Sequence, residues 1–219
     1  MYCAGHGVPQ DYSKAFDWFF KAAIQEDAGA QYKLGYMYYH GYGAPQDHSI
    51  AIEWYLKAAY QGHADAQYRL GYMYSNGEGT PQDYAIAFYW YLKVANQGNA
   101  SAQFNLGLMY EYANGASKDH SKAFGWYLKA ANQGHSTAQS NLGDMYYNGN
   151  GVTQDYTKAF DWYLKAANKG CASAQRKVAS MYRDGKGVSK DLIEAVKWYQ
   201  KAADQGDVNA QGILDKLQC

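Results

Sequence analysis

Residues 34–67 read LGYMYYHGYGAPQDHSIAIEWYLKAAYQGHADAQ, and this stretch returns along the whole chain. Trp54 has counterparts at Trp18, Trp90, Trp126, Trp162 and Trp198, each 36 residues from the next, and no Trp lies outside the series. Met1, Met37, Met73, Met109, Met145 and Met181 keep the same step, as do Asp11, Asp47, Asp83, Asp119, Asp155 and Asp191. Three residue types in one register identify a repeat protein, in which each unit buries its apolar surface on its neighbours.

Within a repeat, the pattern predicts two helices. The first, the A helix, runs from about Ala64 to Ser75, with Ala66, Leu70, Met73 and Tyr74 on one face. Gly71 lies beside that face and lets a neighbouring helix come close. The Gly-containing segment 76–79 ends the helix, because Gly accepts the left-handed conformation of a C-terminal cap. Asp83 is placed to cap the second, or B, helix through its side-chain oxygen. That helix runs from about Tyr84 to Asn96. Ala87, Trp90, Tyr91 and Val94 make its buried stripe, widened by Phe88 and Leu92. Short connections make successive helices antiparallel.

The 34–67 segment, with its Gly-x-Gly connection and 36-residue step, resembles the Sel1-like repeat, a relative of the tetratricopeptide repeat. The resemblance implies an all-α fold, a right-handed α-solenoid of antiparallel helix pairs whose A helices line the concave face. It also implies an adaptor or scaffold that binds proteins. Some secreted bacterial members carry a cysteine pair in every repeat, which this chain lacks.

The reading takes residues 1–219 as a single repeat domain: 1–26 an incomplete repeat without its A helix, 27–206 five full repeats, 207–219 a polar closing helix. Met1-Tyr2 matches the pair that ends other A helices, so the chain reads as a fragment of a longer protein. Phe16, Trp18, Phe19 and Phe20 are expected to lose cover on one side, leaving the first helix open to self-association. Three departures from the repeat stand out. Glu26 and Ala113 replace helix-closing glycines, and Asp215 takes the column of Gly35, Gly71, Gly107 and Gly143.

Lys+Arg and Asp+Glu are 20 each, so net charge draws the chain to neither nucleic acid nor acidic membrane. No apolar run is long enough to span a bilayer. Cys3, Cys171 and Cys219 are too few and scattered for a disulfide framework, which leans towards a reducing compartment. Cys3 and Cys219 share a column six periods apart and are expected at opposite ends.

No catalytic, cofactor-binding or metal-binding residues emerge. The Gly-x-Gly pairs follow helices, lack a third Gly and recur, so they are turns and not nucleotide loops. His63 and His135 share a column after a helix-closing Gly and read as residues of a capping region.

The candidate site lies on the A-helix face opposite the core columns: Tyr32, Tyr36, Tyr39, Tyr68, Tyr72, Phe104 and Leu108. Two columns there run Tyr32, Tyr68, Phe104, Ser140, Arg176 and Tyr36, Tyr72, Leu108, Asp144, Ser180. The stripe is thus aromatic early and polar late, with Asp144, Arg176 and Asp184 available for charged selectivity. Tyrosine suits a protein- or peptide-binding surface. The alternatives are packing between adjacent A helices, inheritance from duplication, or stacking on carbohydrate. An enzyme built on the repeats has no support in the residues.

Overall fold

The computed structural model describes residues 11–217. Those residues form twelve α-helices and no strand. α1 (Tyr12–Ala23), α3 (His48–Tyr60), α5 (Tyr84–Asn96), α7 (His120–Asn132), α9 (Tyr156–Asn168) and α11 (Leu192–Ala203) are B helices. α2 (Ala28–His40), α4 (Ala64–Asn76), α6 (Ala100–Tyr112), α8 (Ser136–Asn148), α10 (Ala172–Asp184) and α12 (Val208–Leu217) are A helices. Contacts divide the chain into two compact units. One extends to Ala102 and includes Asn114–Ala116; the other holds Gln103–Ala113 and everything from Ser117. Consecutive helices pack on one another from α1 to α5 in the first unit and from α7 to α12 in the second. The expectations for Met1, Tyr2, Cys3 and Cys219 lie outside the described residues.

The Asp column caps the B helices as expected. Asp11, Asp47, Asp83, Asp119, Asp155 and Asp191 each accept from a backbone N–H in the first turn. The A helices are capped from a column of their own. Asp27 and Asn99 do this with oxygen, and His63 and His135 with Nδ1. Cys171 holds the same column and makes no cap bond.

The glycines carry two kinds of close approach. A Cβ at Gly35 would stand 2.6 Å from the ring of Tyr55, and one at Gly71 2.8 Å from Tyr91, so the A and B helices of a pair meet where the side chain is missing. In the turn, Gly43 has φ +75 and its Cβ position lies against the Tyr12 carbonyl, so conformation and space both demand glycine. Glu26 (φ 66) and Ala113 (φ 60) keep the same left-handed backbone as the glycines they replace.

The core differs from the sequence expectation in one column. Ala66, Leu70, Met73, Ala87, Trp90, Tyr91 and Val94 are buried as read. The Trp column as a whole is not. Trp90 is 2% exposed and Trp198 8%, but Trp54, Trp126 and Trp162 are half-buried and Trp18 is 63% exposed. In the full repeats the constant core column is the next residue: Tyr55, Tyr91, Tyr127, Tyr163 and Tyr199 are all buried. The physical reason is the A-helix glycine: Gly35, Gly71, Gly107 and Gly143 leave the space that the rings of Tyr55, Tyr91, Tyr127 and Tyr163 fill. Lys57, Lys129, Lys165 and Lys201 lay their ammonium groups over the faces of Trp54, Trp126, Trp162 and Trp198 at 4.1, 4.0, 3.9 and 3.9 Å, a cation–π contact that keeps the charged group at the solvent edge. Trp90 instead is covered by the rings of Tyr60 and Tyr89.

A polar column is buried with the apolar ones. Gln31, Gln67, Gln139 and Gln175 donate Nε2 to the carbonyls of Ala23, Ala59, Ala131 and Ala167 near the end of the preceding B helix. The amide oxygens of three of them are met from a second Gln column: Gln61 donates to Gln31, Gln97 to Gln67, and Gln205 to Gln175. Gln133 does the same for Gln103. The bonds to the Ala carbonyls join successive repeats and the Gln–Gln bonds tie the two helices of one repeat, and buried amides satisfied in this way specify the stacking register.

At the chain's first helix, Trp18, Phe20 and Ile24 are exposed, while Phe16 packs edge-on to Tyr38 at 5.4 Å. In α12, Ala210 and Leu214 are buried in the same cluster as residues of α10 and α11, and the Asp215 carboxylate accepts from Gln211 on its own helix.

Candidate functional site

The structure sorts the aromatic stripe by how much of each ring the core uses. Tyr32 is half-buried, tilted on Tyr55 at 5.8 Å and stacked on His63 at 4.6 Å. Phe104 repeats this arrangement with Tyr127 at 5.8 Å and His135 at 4.7 Å. These two rings therefore steady the capping imidazoles. Burial holds the His135 pKa below its ordinary value, which keeps Nδ1 free to accept. Tyr39 stacks on His48 at 4.7 Å and donates its hydroxyl to Glu78 at 2.6 Å. That bond to a carboxylate, helped by burial, pushes the Tyr39 pKa up to about 12. Tyr68 meets Tyr91 edge-on at 5.6 Å, and Leu108 packs on the second unit's core.

Tyr36 and Tyr72 are different. Tyr72 is 37% exposed. Tyr36 lies against His40 at 4.3 Å and lines a cleft of about 260 Å³ with Tyr12, Phe19, Lys33, Met37 and Tyr42. Tyr42 stacks on Tyr12 at 4.7 Å, so the cleft has aromatic walls and a lysine at its edge.

The second unit has a cleft at the equivalent place in the repeat. It measures about 280 Å³ and is lined by Asp144, Tyr147, Tyr163, Lys177, Ser180, Met181, Asp184 and Lys186, with Asn148. Lys177, Ser180, Met181 and Lys186 occupy the columns of Lys33, Tyr36, Met37 and Tyr42. Where the first cleft is aromatic, this one is charged. Asp144 accepts from the Tyr163 hydroxyl at 2.7 Å and from Lys177 at 2.6 Å. Burial and then the Asp144 charge push the Tyr163 pKa well above the ordinary tyrosine value. Asp184 takes Arg183 on both oxygens, at 2.7 and 3.0 Å, and that bond holds its pKa low. Lys186 donates to the Tyr147 hydroxyl at 2.8 Å, which raises its own pKa.

Arg176, read as a selectivity residue, is instead tied to Asp207, the residue that caps α12, at 3.0 Å. Lys33, Tyr42, Lys177 and Lys186 were not singled out from sequence. Their signal was available: positions 42, 78, 114, 150 and 186 read Tyr, Glu, Asn, Asn, Lys, a column whose chemistry changes at nearly every step. Among the described residues no group of three or more His, Cys, Asp or Glu converges that could hold a metal. No described helix is long and apolar enough to cross a membrane.

The Sel1 repeat family model matches residues 1–27, 28–63, 64–99, 100–135, 136–171 and 172–207. Among solved structures, a protective antigen of uropathogenic Escherichia coli with an SLR fold is 38% identical with a TM-score of 0.95, covering 99% of this chain and 46% of that one. This chain thus spans less than half of that antigen's length. A Sel1 repeat protein from Oxalobacter formigenes is 35% identical with a TM-score of 0.84, covering 93% of this chain and 81% of its own. Cysteine rich protein B of Helicobacter pylori is 28% identical with a TM-score of 0.50, over 61% of this chain and 96% of that one. No curated protein matches the chain.

Proposed function

Since the chain belongs to the Sel1 repeat family, whose members are generally non-enzymatic protein-interaction scaffolds, we propose that it binds a peptide or loop of a partner protein on the concave face, along the side of its A helices opposite the core columns. Tyr36 and Tyr72 are the anchors. Tyr32, Tyr39 and Tyr68 surround them, and Phe104 and Leu108 continue the same columns in the second unit.

One observation carries this reading: Tyr72 is exposed, and the half-buried Tyr36 opens onto a cleft walled by further rings. Rigid aromatic area at low entropic cost is what peptide anchors supply, and an aromatic group beside a cleft favours association.

The test is to select peptides against the full chain from a display library and map a selected peptide by backbone amide shifts. Shifts confined to α2, α4 and the turns that follow them support the reading. Shifts centred on the B helices α3 and α5 would move the binding face elsewhere.

A further inference from the structure

The same slot in the repeat is closed in opposite ways in the two units. Tyr39 and Glu78 are 39 residues apart, and the phenol donates to a carboxylate. Tyr147 and Lys186 are also 39 apart, and there an ammonium donates to the phenol. In this column Lys186 is the only lysine or arginine.

Two cations line the cleft around Lys186: Lys177 forms a salt bridge, and Lys186 forms none among the described residues. Asp144 is paired with Lys177, and both its oxygens are engaged. Asp184 is paired with Arg183 through both of its oxygens. Lys186 gives one N–H to Tyr147 and makes no ion pair among the described residues. Met181 supplies an apolar floor, and Tyr147 and Tyr163 supply walls. The tyrosine hydroxyl holds the lysine at the cleft, which lowers the rotamer freedom it loses on binding.

We propose that this cleft binds a carboxylate of the partner through Lys186, with an adjacent apolar side chain of the partner resting on Met181 and the tyrosine walls. Asp144 and Asp184 line the same cleft, and their charges oppose a phosphate dianion more than a carboxylate carrying a single charge. The carboxylate belongs either to an acidic side chain or to a chain end, which share this chemistry. The proposal rests on the reading of the A-helix face as the binding face, and it adds a charged subsite to that face.

The test uses small probes on the full 15N-labelled chain, followed at the amides of Gly185 and Gly187. Acetyl-glutamyl-phenylalaninamide presents a side-chain carboxylate and acetyl-phenylalanine a terminal one. Acetyl-phenylalaninamide is the neutral control and inorganic phosphate the control for any anion. At least one carboxylate probe should give saturable shifts, at least tenfold tighter than the neutral amide and than phosphate. The tighter of the two carboxylates assigns the source. Lys186→Gln should weaken the winning probe at least tenfold with no change in thermal midpoint, and Lys122→Gln should leave it alone. Equal binding of the neutral amide, tighter binding of phosphate, absence of saturation, or an unaffected Lys186→Gln variant would each overturn the proposal. No partner enters this titration, and Tyr36 and Tyr72 lie outside the cleft. Failure here therefore leaves the aromatic anchors standing, and failure of the anchors leaves this result standing.

Discussion

Lys169 points its ammonium at the carbonyl of Gly134, 2.7 Å away, and thereby leaves the buried Oε1 of Gln139 without a donor. In the other repeats this position is Gln61, Gln97, Gln133 or Gln205, and each donates to the buried glutamine 30 residues before it. Lys169 interrupts the glutamine ladder that runs through the buried interior of the repeats.

Lys169→Gln should therefore stabilise the chain. An unmet buried acceptor costs about 1–3 kcal/mol, and the exposed Lys169 bond that is lost offsets part of the gain. A net gain of about 1 kcal/mol is expected, seen as a higher urea midpoint with unchanged slope. A lower midpoint would mean that Gln139 is satisfied in some other way.

Glu26 and Ala113 hold left-handed backbone at φ 66 and 60. A side chain there costs about 1–2 kcal/mol against glycine, partly offset by the entropy glycine loses on folding. Glu26→Gly and Ala113→Gly should each raise stability by roughly 0.5–1 kcal/mol in thermal denaturation. Ala123→Gly, in the interior of α7, is the control and should move the midpoint the other way. A lowered midpoint in both turn variants would show that the strain at these positions is relieved elsewhere.

The tyrosine and tryptophan columns should separate on truncation. Tyr127 is fully buried, whereas Trp126 is half-buried beneath Lys129. Tyr127→Ala should cost about 3–5 kcal/mol. Trp126→Ala should cost roughly half as much, and Trp90→Ala should resemble Tyr127→Ala because Trp90 is covered. Equal losses at Tyr127 and Trp126 would show that both columns are core.

His135 caps α8 only while Nδ1 is unprotonated, and its folded pKa lies below the ordinary 6.5. A depressed folded pKa contributes stability above the unfolded value and loses it as pH falls through the folded one. The urea midpoint should fall between about pH 7 and about pH 5. His135→Asn, which caps without titrating, should shrink that fall; an undiminished fall would place the acid sensitivity in other groups.

Much of this was legible in the chain itself. The 36-residue step, the helix bounds, the Asp caps and the turn glycines follow from residues whose roles are local. Glu26 and Ala113 stand out for the same reason, since a broken column marks a strained turn. The Trp and Tyr columns were harder to tell apart. They are adjacent, both aromatic and both on the broad apolar face, and the A-helix glycine that receives the Tyr ring is what separates them. The glutamine ladder was readable in principle, because a polar residue held at every period is a candidate for burial with a partner. The site was the least legible part. Tyr32 and Tyr36 look alike in sequence, yet one supports a histidine cap and the other lines a cleft. Lys186 gains its meaning from Tyr147, which lies 39 residues away.

The proposed role of Tyr36 and Tyr72, binding a partner without holding the fold, is tested by the affinity of a library-selected peptide for the Tyr36→Ser/Tyr72→Ser double variant, beside its helicity and thermal midpoint. A loss of at least ~2 kcal/mol, roughly 30-fold in Kd, is expected, with helicity and midpoint nearly unchanged. Unfolding of the variant, or an unchanged Kd in a folded variant, would contradict it.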